Sequence, residues 1–214
     1  MSLVLYGHEF SSYTWKALIP LWANDTPFEF RSVEQHGEEF AGLTPFGQFP
    51  LLVDDGEVVA ESSIIIEHLD RRHPGPNRWI PDGDAGLRAR FFDRIFDLRV
   101  MNNAAVPVTD SLRPEGQRDP FGIEQAMTRL RRTYDWLEGA LPDDGWAVGA
   151  PFTIADCAAA PALFYADWVE PIGPARPKLA AYRARLLAHP AVSRAVEQAR
   201  SFRHYFPLGA PDRD

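Results

Sequence analysis

Two adjacent serines, Ser11 and Ser12, stand where a short apolar run passes into a helical pattern, in the stretch GHEFSSYTWKALIPL at residues 7–21. A serine in such a turn is commonly an N-cap, whose side-chain oxygen accepts a hydrogen bond from a backbone N–H of the first turn. Its hydroxyl could also donate a hydrogen bond to a ligand. No His–Asp pair lies within evident reach in the sequence, so we do not expect a nucleophilic serine. On the residues alone, caps are the favoured interpretation, and a chemical role for one serine stays open.

A second candidate site begins with Glu61 and Ser62, at the start of the helical pattern that follows two short strands. The exposed N–H groups of a helix N-terminus, together with a hydroxyl, form a site for an anion. Glu61 could instead meet the amine of a ligand. The alternative is a plain N-cap provided by Ser62 or Ser63. Both interpretations can hold, with Ser63 serving the helix while Ser62 faces a ligand.

The elements that must position these residues alternate between strand and helix over about the first 70 positions. Their order is β-α-β-(α)-β-β-α, and the sequence DDG at 54–56 predicts a hairpin between the last two strands. A Pro/Gly-rich linker follows at 76–86, and the pattern beyond it is helical. We therefore predict a small mixed α/β domain at 1–75 and an all-helical domain at 87–214.

The stretch TIADCAAAPALFYADW, residues 153–168, is apolar nearly all round and predicts the central buried helix of the second domain. It begins with Thr153 and Asp156, which have the spacing of a capping box and are interpreted as structural. Cys157 follows them and is expected to be a small core residue.

Composition excludes several classes of function. The chain has 214 residues with a formal net charge of −8, and it contains no basic block that would suit a nucleic acid. A single cysteine excludes an intramolecular disulfide and a CxxC or cysteine-based zinc site. The sequence suggests no signal peptide and no membrane span. We expect a cytoplasmic protein without a metal, a nucleic-acid partner or a membrane partner.

Four local motifs, in this order and spacing, resemble those of the cytosolic glutathione transferases, and the resemblance covers nearly the whole chain. The motifs are LYGHEFSSYTWK, TPFGQFPLLVDDG, ESSIIIEHL and FTIADCAAAP. The stretch SSYTWK is similar to the serine-type, zeta class, although Tyr13 replaces the cysteine found there, so no class is assigned. The resemblance implies an N-terminal thioredoxin-like domain of α/β class, an all-α C-terminal helical bundle, and glutathione as co-substrate.

The resemblance also implies which hydroxyl activates the thiol of glutathione. The catalytic serine of the family falls at Ser11, five residues after Tyr6, and it acts as a hydrogen-bond donor to the sulfur. Ser12 is then the helix cap. The alternatives are Ser12 itself and Tyr6, because other classes of the family use a tyrosine at the end of the first strand.

Further site residues are implied in the same way. For glutathione they are Gln48, Phe49, Pro50, Glu61, Ser62 and, with an uncertain register, His36. Spacing alone favours a trans proline at a strand start for Phe49-Pro50, whereas the family has a cis bond there. For the second substrate, a pocket between the domains is expected, walled by His8, Glu9, Phe10, Val100, Asn103 and Ala104.

Three functions are compatible with this resemblance. The first is a detoxification enzyme, a transferase that joins the glutathione thiolate to an electrophilic small molecule. The second is a glutathione-dependent isomerase or dehalogenase, and the third is a non-catalytic binding subunit. The family also implies a homodimer, in which Phe46 is expected to insert into the partner.

Overall fold

The computed structural model describes residues 2–214, which divide into a mixed α/β region and a helical region. The first region contains, in chain order, β1 (Leu3–Gly7), α1 (Ser12–Ala23), β2 (Glu29–Ser32), α2 (Gly37–Leu43), β3 (Leu51–Asp54), β4 (Glu57–Ala60) and α3 (Ser62–Arg72). The second contains α4 (Gly83–Ile95), a π-helical segment (Phe96–Met101), α5 (Asn102–Ser111), α6 (Pro120–Ala140), α7 (Ile154–Val169), α8 (Pro177–Ala188) and α9 (Pro190–Ala199). Short 3₁₀ turns lie at Glu115–Gln117 and Arg200–Tyr205.

The four strands form one sheet in the order β2-β1-β3-β4. β1 is parallel to β2 and antiparallel to β3, and β3 and β4 form a hairpin. The two residues of its turn, Asp55 and Gly56, have φ of 47° and 90°. A two-residue hairpin loop favours positive φ, which Gly and Asp tolerate, so the DDG signal has a direct physical basis. The predicted thioredoxin-like order of elements is confirmed.

The helical region is built around α7, in which 14 of 16 residues are buried. Asp156 fixes its start. The Asp156 carboxylate accepts hydrogen bonds from the Thr153 N–H (2.8 Å), the Thr153 hydroxyl, the Ala147 N–H and the Tyr182 hydroxyl (2.6 Å). A buried carboxylate is tolerated only with such partners, so the structural interpretation of this motif is confirmed. Among the described residues, no helix is long and apolar enough to cross a membrane.

Two features of the helical region differ from the sequence-based expectation. α4 begins at Gly83, inside the segment predicted as linker. The segment from Phe96 to Met101 is π-helical and joins α4 to α5 without a break. A π turn contains an extra residue. One residue corresponds to about 100° of rotation around a helix, so every side chain after this segment points away from the direction that an unbroken α-helix predicts.

A buried ion cluster joins the two regions. The Lys16 ammonium on α1 lies 2.5 Å from the Asp93 carboxylate of α4 and 2.6 Å from that of Asp97. Ser63 of α3 accepts a hydrogen bond from Lys16 (2.8 Å) and donates to Asp93 (2.9 Å). Only 1% of the Lys16 side chain is exposed. Since an unpaired buried charge is costly, this cluster fixes how α1 and α3 sit against α4.

Candidate active site

A cavity of about 520 Å³ opens where the first region meets α4, the π-helical segment and α5. Its lining comes from both regions: Ser11, Tyr13, Thr44, Phe46, Gly47, Gln48, Phe49, Pro50, Ala60, Glu61, Ser62, Arg94, Asp97, Leu98 and Asn102. Six residues predicted from sequence therefore meet at one cavity: Ser11, Gln48, Phe49, Pro50, Glu61 and Ser62.

Ser11 is the N-cap of α1, and its Oγ accepts a hydrogen bond from the Thr14 N–H at 3.3 Å. The sequence-based assignment of Ser12 as the cap is therefore wrong, because Ser12 is already the first helical residue. The bond to Thr14 uses an oxygen lone pair of Ser11 and leaves its hydroxyl hydrogen free. Ser11 can thus cap the helix and donate a hydrogen bond into the cavity at the same time.

The alternative hydroxyls occupy other places. Ser12 does not line the cavity. Tyr6 is 2% exposed, and its hydroxyl donates to Glu39 (2.7 Å) and accepts from Arg31 (2.9 Å). Burial and the bond to Glu39 raise the pKa of the Tyr6 phenol. The Tyr6 hydroxyl is therefore committed to the ion cluster of Arg31 and Glu39, and Tyr6 does not line the cavity.

Tyr13 is a cavity residue that sequence reasoning passed over. Its hydroxyl donates to the Asn102 Oδ1 at 3.2 Å, so it links α1 to α5 across the cavity. Desolvation, followed by the negative charge of Asp97, raises the pKa of Tyr13 to about 12. Tyr13 is therefore a neutral phenol at physiological pH. Its position in the sequence indicates a place near the site, since Tyr13 directly follows the two candidate serines.

Gln48, Phe49 and Pro50 form the wall of the cavity before β3. The Phe49-Pro50 bond is cis, as the resemblance implied and as spacing alone did not. Phe49 packs its ring against Phe40 of α2, with ring centroids 6.3 Å apart. The packing of Phe49 against the core cluster that contains Phe40 thus anchors this wall.

Glu61 and Ser62 form the wall at the N-terminus of α3. Glu61 is the N-cap residue with φ of 70°, and it makes no side-chain capping bond. Neither Ser62 nor Ser63 is the cap, which corrects the sequence-based alternative; Ser63 belongs to the Lys16 cluster instead. A non-glycine residue at positive φ is strained and is found preferentially at functional sites. Ser62 is 6% exposed and lines the cavity at the positive end of the helix dipole.

The prediction that Val100, Asn103 and Ala104 form the second-substrate wall is wrong, because none of them lines the cavity. Val100 and Ala104 are 0% and 1% exposed and belong to the core. Asn103 is also buried, where it donates to the Arg99 carbonyl (2.7 Å) and accepts from Arg129 (2.9 Å). The residues that face the cavity are instead Arg94, Asp97, Leu98 and Asn102. Val100 lies inside the π-helical segment, and Asn103 and Ala104 follow it closely, so the 3.6-residue spacing of an α-helix does not predict which of these side chains are buried.

The residues of the first loop that were predicted for the same pocket, His8 and Phe10, also lie outside the cavity. The His8 Nε2 lies 3.1 Å from the Glu34 carboxylate, and its ring contacts Phe202. Phe10 packs on Tyr165 and Trp168 of α7. These residues do not line the 520 Å³ cavity.

Two more predicted residues lie outside the cavity. Glu9 lines a separate groove of about 650 Å³ between α1, β2 and α9. His36 precedes α2, with its Nδ1 3.5 Å from Glu39, and it is not in the cavity lining. The structure therefore does not bring His36 together with the other residues predicted for glutathione.

The cavity side of the ion cluster is formed by Asp97 and Arg94. The Arg94 guanidinium donates to Asp97 (2.7 Å) and to the Ser63 hydroxyl (2.8 Å). Burial raises the pKa of Asp97, and the neighbouring Lys16 charge opposes this. The arrangement places a fixed cation and a fixed anion beside Ser62, where a zwitterionic ligand would find partners of both signs.

Comparison with known proteins agrees with this geometry. Residues 5–77 match the family model "Glutathione S-transferase, N-terminal domain", and residues 120–185 match "Glutathione S-transferase, C-terminal domain". A probable maleylacetoacetate isomerase of Vibrio cholerae is 28% identical over 92% of this chain and 97% of its own. Human glutathione S-transferase theta-2B is 27% identical over 77% of this chain and 72% of its own.

A solved glutathione S-transferase of Methylobacillus flagellatus, with GSH bound, superposes with a TM-score of 0.81 and 25% identity, covering 91% of this chain and 98% of that one. One family thus accounts for both halves of the fold. The chain belongs to the cytosolic glutathione transferases and is a glutathione S-transferase-like enzyme.

Proposed function

We propose that the protein conjugates the thiolate of glutathione to an electrophilic small molecule, with Ser11 as the residue that stabilises the thiolate. One observation carries this proposal. The Ser11 oxygen accepts the capping bond from Thr14, so its hydroxyl hydrogen is available at the wall of the cavity. Ser12 and Tyr6 do not combine these properties, since neither lines the cavity.

The required effect is within the range of one hydrogen bond. A free thiol with a pKa of about 8.5 is only a few per cent thiolate at pH 7. A hydrogen bond to a charged group contributes roughly 1.5–3 kcal/mol, which at about 1.36 kcal/mol per unit lowers the thiol pKa by about one to two units. The partial positive charge at the N-terminus of α1 acts in the same direction.

The rest of glutathione would be held by the wall of the first region. Phe49 pairs its backbone N–H and C=O with the cysteinyl backbone. Ser62 and the first-turn N–H groups of α3 bind the γ-glutamyl carboxylate, and Glu61 binds the α-amine. Gln48 contacts the glycyl end. The position of Ser62 supports this, since it is buried at a helix N-terminus and faces the cavity.

A glutathione-dependent isomerase is the second candidate, and a specific observation favours it. One relative that matches nearly the full length of the chain is named as a probable maleylacetoacetate isomerase. In an isomerase the thiolate adds to the substrate and later leaves, so the same Ser11 donor serves both reactions. A binding subunit without activity is less well supported, since it would not need the polar residues gathered around the cavity.

The assembly and location of the enzyme also follow from the family. We infer a cytoplasmic homodimer with two-fold symmetry, in which Phe46 inserts into the partner. Phe46 is 73% exposed in the loop between α2 and β3. A large exposed aromatic side chain in a loop is typical of an interface anchor.

The test of the function is retention on immobilised glutathione, followed by a panel of electrophiles. We expect retention, elution by free glutathione and turnover of an aryl halide. The Ser62→Ala variant should elute at a lower concentration of free glutathione, because it lacks the hydroxyl proposed to bind the γ-glutamyl carboxylate. Retention with turnover of only a cis-alkene substrate favours the isomerase, and absence of retention contradicts both functions.

A further inference from the structure

A second group of potential ligands lies at the other end of α3 from the cavity. The Asp54 carboxylate, at the end of β3, has its Oδ2 2.7 Å from the His68 Nε2 and 2.8 Å from the His73 Nε2. One ligand atom from each of the three residues lies within 4.8 Å of the others. At 1.5 Å per residue along α3, His68 lies about 9 Å and His73 about 16 Å from Ser62.

The fold holds these side chains in place. Asp54 is fixed by β-sheet pairing to Leu3 on one side and Glu57 on the other. His68 lies on α3, and His73 follows its last residue with φ of −128° and ψ of 55°, so the chain leaves the helix there. The side chains of Asp54, His68 and His73 are only 13%, 10% and 17% exposed. Three ligating groups are thus held on two different elements, close to the surface but largely desolvated.

The chemistry of the donors selects the kind of ion. Two imidazole nitrogens with one carboxylate suit Zn²⁺, Co²⁺, Ni²⁺ or Cu²⁺, whereas Mg²⁺ and Ca²⁺ prefer oxygen ligands. Zinc–ligand bonds of about 2.0–2.1 Å place neighbouring tetrahedral ligands about 3.3 Å apart. The two nitrogen–oxygen distances must therefore open by about 0.5 Å, and the two Nε2 atoms, which lie within 4.8 Å of each other, must reach the same spacing. A water molecule would take the fourth position.

We propose that Asp54, His68 and His73 bind one divalent transition-metal ion, with Zn²⁺ as the physiological representative, and that the ion ties the end of β3 to the end of α3. Each histidine ligates through the Nε2 lone pair, with its ring proton on Nδ1. The site is separate from the glutathione cavity and goes beyond the proposed function. It departs from the expectation of no metal, which considered cysteine-based sites and overlooked the i, i+5 spacing of the two histidines.

The test is direct metal binding to the full-length chain, freed of any affinity tag, stripped with a chelator and kept free of glutathione, whose thiol also binds metal. We expect Co²⁺ to give a saturable visible spectrum at one ion per chain. Zn²⁺ should displace it and raise the melting temperature by about 5–10 °C at a hundredfold excess over Kd. Folded zinc sites bind their ion far more tightly than millimolar. The proposal is therefore overturned if no saturable spectrum appears up to about 1 mM free Co²⁺.

Variants then identify the ligands. His68→Gln and His73→Gln should each weaken Co²⁺ binding at least about tenfold, as changes around metal sites do. His204→Gln, which alters an exposed histidine of the last 3₁₀ turn, should leave it unchanged. In the unsubstituted protein, nitrogen NMR shifts of His68 and His73 on adding Zn²⁺ identify the ligands without any substitution. Binding that none of these substitutions weakens, or shifts confined to other histidines, contradicts the site.

Discussion

The two walls of the cavity are constructed differently. On the first region, Ser11, Pro50 and Ser62 sit at an N-cap, a strand start and a helix N-terminus, so the backbone fixes their positions. On the helical region, Leu98 and Asn102 reach the cavity as exposed side chains of a continuous helical stretch. A wall made of backbone suits a ligand that never changes. Exposed side chains such as Leu98 and Asn102 can be replaced without disturbing the fold, so we propose that the helical wall contacts the variable second substrate.

The Lys16 cluster joins the two regions that form the walls. Disrupting it should have the largest effect on the free energy of unfolding. Lys16→Met removes the buried ammonium between α1 and α4 and leaves Asp93 and Asp97 paired only with Arg94, whose side chain is half exposed. Removing one partner of a buried ion pair typically costs about 3–5 kcal/mol. Urea unfolding should show a loss of that size.

Arg90→Met provides the matched control for this loss. Arg90 also pairs across the regions, 2.8 Å from Glu67, but its side chain is 46% exposed. A surface pair contributes about 0–1 kcal/mol. Equal losses in the two variants would show that the buried cluster holds the two regions together no more strongly than a surface ion pair.

Phe46 connects the loop side of the cavity to the proposed partner. Because a buried aromatic anchor can contribute about 2 kcal/mol or more to an interface, Phe46→Ala should weaken dimerisation roughly thirtyfold. Sedimentation at several concentrations measures this. Exposed Phe121 on α6, 74% exposed, is the control position. An unchanged dimer in Phe46→Ala refutes the anchor role, and a monomeric unsubstituted protein refutes the dimer.

Ser62→Ala tests the backbone wall as the glutathione site. The lost hydroxyl contributes about 1.5–3 kcal/mol to holding a charged group, so glutathione binding should weaken about 10- to 150-fold. Titration calorimetry measures the affinity. The electrophile preference should stay the same. If preference changes while affinity does not, the roles of the two walls are reversed.

Asn102→Ala tests the helical wall, with Asn103→Ala as its neighbour and control. Asn102 is exposed and lines the cavity, so its variant should change the relative rates with different electrophiles a few-fold while glutathione affinity holds. Asn103 is buried and bonded to Arg99 and Arg129, so its variant should lose about 1–3 kcal/mol of stability. A substrate change in Asn103→Ala alone would mean that the register assigned to the π-helical segment is incorrect.

Local sequence signals predicted the first region well. The DDG turn and the order of its strands and helices depend on short-range patterns, so they can be predicted from neighbouring residues. The same is true of Thr153 and Asp156 at the start of α7. The residues of the backbone wall, in contrast, were implied by the resemblance to the family.

The remaining differences come from geometry that such patterns do not encode. The i→i+5 turns at Phe96–Met101 have no marker residue, and apolar character does not identify the buried face there, since Leu98 is exposed whereas Val100 and Asn103 are buried. Ser11 and Ser12 are chemically identical, and only the backbone angles decide which one caps. Glu61 at positive φ was equally unforeseeable, since a glutamate rarely takes that conformation.

The central claim is that the Ser11 hydroxyl stabilises the thiolate, and the most direct test is the titration of the thiolate absorbance of bound glutathione. Ser11→Ala removes the donor and should raise the thiol pKa by about one unit or more. It also removes a helix cap, so Ser11→Gly, which preserves capping to within a few tenths of a kcal/mol, should give the same rise. Ser12→Ala, Tyr6→Phe and Tyr13→Phe should leave the pKa unchanged. A rise in one of these three variants, with none in either Ser11 variant, would contradict the account and assign the donor to that residue.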